Sequence, residues 1–327
     1  MRALANEQGL SGVMLDAVER LPKSIRPPQD ALICWIGEVL KNYEQRYLHY
    51  QRAIAEMAAF YNARGYKMML LKGYACSLNW PKPEHRPCGD IDIWQFGKNK
   101  EADALLTAEL GVTIDNSRHH HTVFGWQGFM VENHYDFVNV HHHKSNYEIE
   151  AVFKQLGGDD SHHVDVLGER VYLPSPNLHA LFLLRHASGH FAATELNLRQ
   201  LLDWAFFVKT HGKEVDWEWL IGILDKFELR KIFDIFNAIC VKDLGFEASL
   251  FPSAFGVVDD SLKKRVLEEI VSPEFSGEMP TTLLERVAFK LRRWKANGWK
   301  HKLCYKESMW SAFWSGVWNH LLKPSSI

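Results

Sequence analysis

The chain has 327 residues, 46% of them hydrophobic, and sets 38 lysines and arginines against 40 aspartates and glutamates for a formal charge of -2. That is enough apolar material for a sizeable core, which excludes a disordered chain, and near neutrality removes the global field that would draw nucleic acid or an anionic membrane surface. No stretch reaches the roughly 18 apolar residues that cross a bilayer, and the opening MRALANEQGLSGVMLDAVERLPK has charges among its apolar positions, so a cytoplasmic protein is expected. The five cysteines are scattered and show no CxxC spacing, which suits reduced packing residues rather than disulfides or a structural zinc.

In chain order, apolar residues at helical spacing from Ala31 to Arg64 predict one long or two short helices ending at Gly65. YKMMLLKG reads as a buried strand entering a turn at Gly73, and YACSLN as a helix after it. GDIDIW alternates, which puts Asp90 and Asp92 on one face and Ile91 and Ile93 on the other. KNKEADALLTAELG reads as a helix stopped by Gly111. RHHHTVFGW and FMVENHYDFVNV follow as strands joined at Gln127-Gly128, with Met130, Glu132, His134 and Asp136 sharing a face. A hairpin is predicted at VDVLGERVYL. From Ser175 the pattern is helical: Ser175-Pro176 opens one helix, Glu195 to His211 forms another, Asp216 caps a third, and more cover 228–243, 259–271, 281–296 and 306–322. The plan is α+β: an N-terminal helical segment (1–64), a small mixed β-sheet core with helices (65–173) and a C-terminal helical lobe (174–327).

Two carboxylates on one strand face and a third on a neighbouring strand make an oxygen-rich cage suited to Mg²⁺ or Mn²⁺ rather than zinc. Such cages hold cations against phosphates, where they steady the charge of a transferring phosphoryl group. Lys72-Gly73 lies just upstream at a strand-to-helix turn, where a glycine admits phosphate to the backbone and a helix offers N–H groups. The ammonium of Lys72 supplies a point charge, and Lys82, His85 and Arg86 in NWPKPEHRP offer further phosphate contacts.

The order strand, Lys72-Gly73, short helix, GDIDIW, helix, then VENH on a later strand resembles the polymerase-beta-like nucleotidyltransferase superfamily. It is most similar to a bacterial family of uncharacterised nucleotidyltransferases with a helical C-terminal lobe. The likeness runs over roughly residues 30 to 230 and includes HHHTVF and LRQLLDW. It implies transfer of a nucleoside monophosphate from a nucleoside triphosphate, with Mg²⁺ or Mn²⁺ held by Asp90, Asp92 and Glu132 and nucleotide contacts from Lys72, Gly73 and Arg86. Glu132 rather than Asp136 matches the family's E-x-H context, and Asp136 stays a candidate on the same face. Tyr74 departs from the superfamily, which has a serine or second glycine there. That departure keeps open a non-catalytic nucleotide-binding regulator, beside transfer to a small or sugar-like acceptor or to a protein or RNA acceptor.

Of the histidines, His134 and His121 are read as groups that orient phosphate or a substrate hydroxyl. His186 shares a helix face with His190 and is a further candidate for the cleft. Strand alternation argues against a transition-metal site made of three consecutive imidazoles in His119-His120-His121 or His141-His142-His143. Trp310, Trp314 and Trp318 form a stripe read as core packing.

Overall fold

A computed structural model describes residues 2–141, 143–193, 195–252, 256–275 and 280–322. The chain divides into two compact units, one of Met1–Phe137 with Lys154–His179 and one of Val138–Phe153 with Ala180–Ile327. The elements run α1 (Arg2–Glu7), α2 (Ser11–Arg20), α3 (Gln29–Val39), α4 (Gln45–Asn62), β1 (Met69–Leu70), α5 (Tyr74–Ser77), β2 (Ile91–Trp94), α6 (Asn99–Leu110), β3 (His121–Trp126), β4 (Phe129–His134), α7 (Lys144–Leu156), β5 (His163–Val166) and β6 (Glu169–Tyr172). Then come α8 (Pro176–Ala193), α9 (Leu198–His211), α10 (Trp217–Lys226), α11 (Arg230–Lys242), α12 (Asp260–Val271), α13 (Leu283–Ala296), α14 (Gly298–Cys304) and α15 (Met309–Leu322). The α+β expectation holds, and among the described residues no helix is long and apolar enough to cross a membrane and no cysteine is in a disulfide.

The first unit carries a six-stranded mixed sheet in the order β3-β4-β2-β1-β6-β5. β2 lies parallel to β4 and antiparallel to β1, while β1 is parallel to β6; β3/β4 and β5/β6 are antiparallel hairpins. The predicted helix over 31–64 is realised as α3 and α4 joined by a π-helical stretch, Leu40–Glu44. Tyr47, Tyr50, Ile54, Met57, Ala58 and Tyr61 recur at helical spacing along α4 and pack on Met68, Leu70, Ile91, Ile93, Val131 and Val171 of the sheet layer. Each such aliphatic side chain contributes about 1.5–3 kcal/mol by leaving water. A smaller cluster of Leu15, Val18, Trp35, Val39 and Tyr43 ties α2 to α3.

Gly73 is fixed by two independent demands. Its φ is +60°, and a Cβ there would meet the Tyr50 hydroxyl at 2.5 Å. That hydroxyl donates to the carbonyl of Asp90 at 2.6 Å, so α4 grips the glycine turn and the start of the DID strand together. Tyr74, next in line, points into the core, where its ring stacks on Tyr47 at 5.8 Å and its hydroxyl accepts from Gln51.

In the second unit the helices close over Trp204, Phe207, Phe233 and Phe236, and the Trp204 indole donates to Asn237 at 2.8 Å. Asp216 caps α10 through Trp219 N–H as predicted, and α9 begins at Leu198 behind an Asn197/Gln200 capping box rather than at Glu195. Two helices went unread, α7 and α14. The core packing expected of the tryptophan stripe is not found: Trp310 and Trp314 are 62% and 63% exposed, Trp310 meeting Trp294 only edge-on. The Trp318 side chain and His142 lie outside the described residues.

Gly73→Ala is expected to destabilise the protein by about 1–3 kcal/mol, from positive-φ strain and displacement of the Tyr50 hydroxyl. Urea unfolding of Gly73→Ala, Tyr50→Phe and the double variant checks this. Because removing the hydroxyl clears the space, the double variant should lose less than the sum of the two single losses.

Candidate active site

The site is assembled by three adjacent strands. Parallel register places Asp92 of β2 directly beside Glu132 of β4, and Trp94 beside His134, so the side chains of Asp92, Glu132 and His134 project from one face. One ligand atom from each of these three lies within 4.8 Å of the other two. Lys72 lies two residues past β1, and the N–H of the intervening Leu71 donates to the Asp92 carbonyl.

Asp92 is the centre of this arrangement. It is 1% exposed, and its Oδ1 receives Lys72 Nζ at 2.9 Å and faces His134 Nε2 at 3.1 Å. Its other oxygen, Oδ2, is buried with no hydrogen-bond partner among the described residues. An ionised carboxylate oxygen left bare inside a protein is costly unless a cation meets it, and carboxylate oxygens suit a hard divalent ion. The residues therefore fit the divalent ion that the motif implies. Burial raises the Asp92 carboxyl, but Lys72 and His134 outweigh it and hold the group well below the ordinary carboxylate range. Burial pulls Lys72 down, and Asp92, Asp90 and Glu132 together hold it above the ordinary lysine value. Burial raises Glu132 as well, yet the nearby His134 ring, followed by the charges of Lys72 and His121, keeps it below the ordinary carboxylate value.

Asp90 stands apart from Asp92. It precedes β2 rather than lying in it, its carbonyl is held by Tyr50, and among the described residues it belongs to neither cluster of converging ligand atoms. Its carboxyl is pushed up by burial and by the Asp92 charge. Asp136 was expected on the face of Glu132, but β4 ends at His134. Tyr135 and Asp136 both turn their N–H groups to the His120 carbonyl, and the Asp136 carboxylate pairs with Lys154 at 2.5 Å.

The loop before β2 holds its cations tightly. Lys82 pairs with Asp16 at 2.5 Å, and His85, 3% exposed, bridges Asp16 at 2.8 Å and Glu44 at 3.1 Å, so both brace the N-terminal helices. Arg86 is buried and donates to the Pro87 carbonyl at 3.0 Å; its charge and those of Asp92 and Asp90 all act on the Tyr50 hydroxyl. Helix α5 is a single turn, too short for a substantial dipole at the glycine turn. His186 lies in the second unit, with its Nε2 3.2 Å from that of His190.

A family model described as uncharacterised nucleotidyltransferase matches residues 2–244. The chain belongs to that family. No curated protein and no solved structure matches it. The protein is thus a transferase of the nucleotidyltransferase type, and Asp92, Glu132, Lys72 and His134 form the cluster in which its motif residues meet.

His120 is a site neighbour that strand alternation could not reveal. It sits in a bend just ahead of β3, so its ring turns beside that of His121, 4.3 Å away between centroids, instead of opposing it.

The imidazoles of this nucleotidyltransferase titrate in opposite directions. Burial pulls His134 down, but its hydrogen bond to Asp92 and the nearby Glu132 carboxylate overcome it and push the ring up to about 9. Burial, with the neighbouring imidazoles, pulls His121 down to about 4 and His120 to about 2. Because the folded value for His134 lies above the ordinary 6.5, its contribution is whole below that pH and is lost as pH rises through about 9. Those of His121 and His120 lie below, so theirs are whole above 6.5 and lost as pH falls. Unfolding free energy of the metal-free protein should peak near pH 6.5, with an alkaline loss of about 3 kcal/mol at roughly 1.4 kcal/mol per pKa unit. Urea unfolding from pH 5 to 10 in chelator measures this, and His134→Gln should flatten the alkaline limb.

Proposed function

We propose that this enzyme transfers a nucleoside monophosphate from a nucleoside triphosphate to the hydroxyl of a small, sugar-like acceptor, with Mg²⁺ or Mn²⁺ held by Asp92 and Glu132 and approached by Asp90. The observation that carries the reading is the bare, buried Oδ2 of Asp92 beside Glu132 in parallel register. A divalent ion bound there would supply positive charge against the triphosphate and the developing pyrophosphate. In the transfer the acceptor oxygen forms a bond to the α-phosphorus, the bond from that phosphorus to the β-phosphate bridging oxygen breaks, and pyrophosphate leaves with the electron pair.

The chain's own groups have distinct tasks in this scheme. Glu132, kept ionised through its contact with His134, takes the acceptor proton. Lys72 neutralises Asp92, and its ammonium would offer the phosphates a point charge were a divalent ion to share that carboxylate. His134 fixes the carboxylates through Nε2 while its Nδ1 faces the Asp136 carbonyl at 3.3 Å. Arg86 steadies the loop over the nucleotide. Tyr74 does not intrude on the glycine turn, since its ring is packed against Tyr47; this supports turnover over a purely regulatory nucleotide site.

Pyrophosphate release from pooled triphosphates and small hydroxyl acceptors, with Mg²⁺ or Mn²⁺, tests the proposal. Asp92→Asn and Glu132→Gln should each lower the metal-stimulated rate about 10²–10³-fold, the scale of losing one electrostatic group from an active site. Lys72→Met should raise KM for the triphosphate more than it lowers kcat. Absence of metal-stimulated release with every triphosphate and acceptor pair would overturn the assignment.

A further inference from the structure

Three imidazoles meet at the end of the β3–β4 hairpin. His121 and His134 are direct partners across the ladder, which sets their side chains on one face at about 5 Å spacing. His120 is locked beside them because its carbonyl receives the N–H groups of Tyr135 and Asp136 at 3.1 Å each. Ring centroids are 4.3 Å apart for His120 and His121, 5.2 Å for His121 and His134, and 5.7 Å for His120 and His134. One ring nitrogen from each lies within 4.8 Å of the other two.

The ring nitrogens of this cluster are poorly served by the protein. Nδ1 of His120 and Nδ1 of His121 are buried and have no hydrogen-bond partner among the described residues, a situation that calls for an explanation. His134 Nδ1 faces the Asp136 carbonyl, the arrangement by which a carbonyl fixes a metal-ligating imidazole, and an ion on Nε2 would displace the proton that this nitrogen now shares with Asp92. Glu132 lies alongside two of the rings, with Oε1 3.6 Å from His121 Nε2 and Oε2 3.7 Å from His134 Nε2.

We propose that His120, His121, His134 and Glu132 form a second cation position, which takes a borderline-soft divalent transition ion of the Zn²⁺ or Co²⁺ class beside the carboxylate position at Asp92. Imidazole nitrogens favour such ions over Mg²⁺, and three imidazoles with one carboxylate make a four-coordinate set. Bonds of about 2.0–2.1 Å place tetrahedral ligands about 3.4 Å apart, so modest rotation of the three rings closes the site. The inference depends on the reading of the neighbouring carboxylates only in that Glu132 and His134 belong to both positions. Sharing them makes the imidazole position a device for choosing the ion that accompanies the triphosphate.

The test is titration of the chelator-stripped full chain with Co²⁺, read by the visible absorption of the four-coordinate ion and by pulsed paramagnetic resonance for imidazole nitrogen coupling. We expect one Co²⁺ per chain with a four-coordinate band, at least tenfold weaker binding in His120→Ala and in His121→Ala, and a band that survives Asp92→Asn. Nitrogen coupling in the unmodified protein keeps the test decisive if an alanine variant fails to fold. No four-coordinate band, no nitrogen coupling, or a band indifferent to both alanine substitutions would overturn the proposal. Mg²⁺-stimulated pyrophosphate release alongside any of those results would show that this inference alone has failed.

Discussion

A dry carboxylate in the middle of the sheet governs this protein. Both faces of β2 are buried, and a charge so placed is tolerated only when opposite charge reaches it from within the fold. Lys72 arrives from the end of β1 and His134 from the end of β4, the two strands that flank β2. The strand order β4-β2-β1 is therefore an electrostatic requirement as much as a packing one. Glu132 enters the site through the same register, because a partner one residue away along β4 would face the core.

Much of this was written in short-range pattern. Alternation put Asp92 on one face of its strand and Glu132 with Asp136 on one face of theirs, and the likeness of E-x-H to the family motif chose Glu132 between the two. The α4 stripe, the cap at Asp216 and the start of α8 at Pro176 were equally readable because each is a local rule with one dominant cause. What escaped depended on where a strand stops. Asp136 left the shared face, and His120 joined the site, because the same carbonyl of His120 captures two N–H groups and ends the β4 ladder. No residue pattern announces that bond.

Other misses arose from competition between partners. Lys82 and His85 look available for phosphate in a linear reading, yet Asp16 and Glu44, contributed by distant helices, meet them first. Helix α7 carries Ile149, Val152, Phe153 and Leu156 at helical spacing, but a strand expected to run to Val140 obscured its start. Trp310 and Trp314 have the spacing of a core stripe, and spacing says which residues share a face without saying what covers it.

The contact between Tyr50 and Gly73 ties together two parts of the chain that are 23 positions apart. A chain of this design that evolved bulk at the turn would have to surrender the phenolic oxygen on the helix, and with it the clasp on the carbonyl of Asp90. Positions 50, 73 and 90 thus form a single unit of inheritance, in which the smallness of one residue is the condition for another to anchor the first acid of the motif.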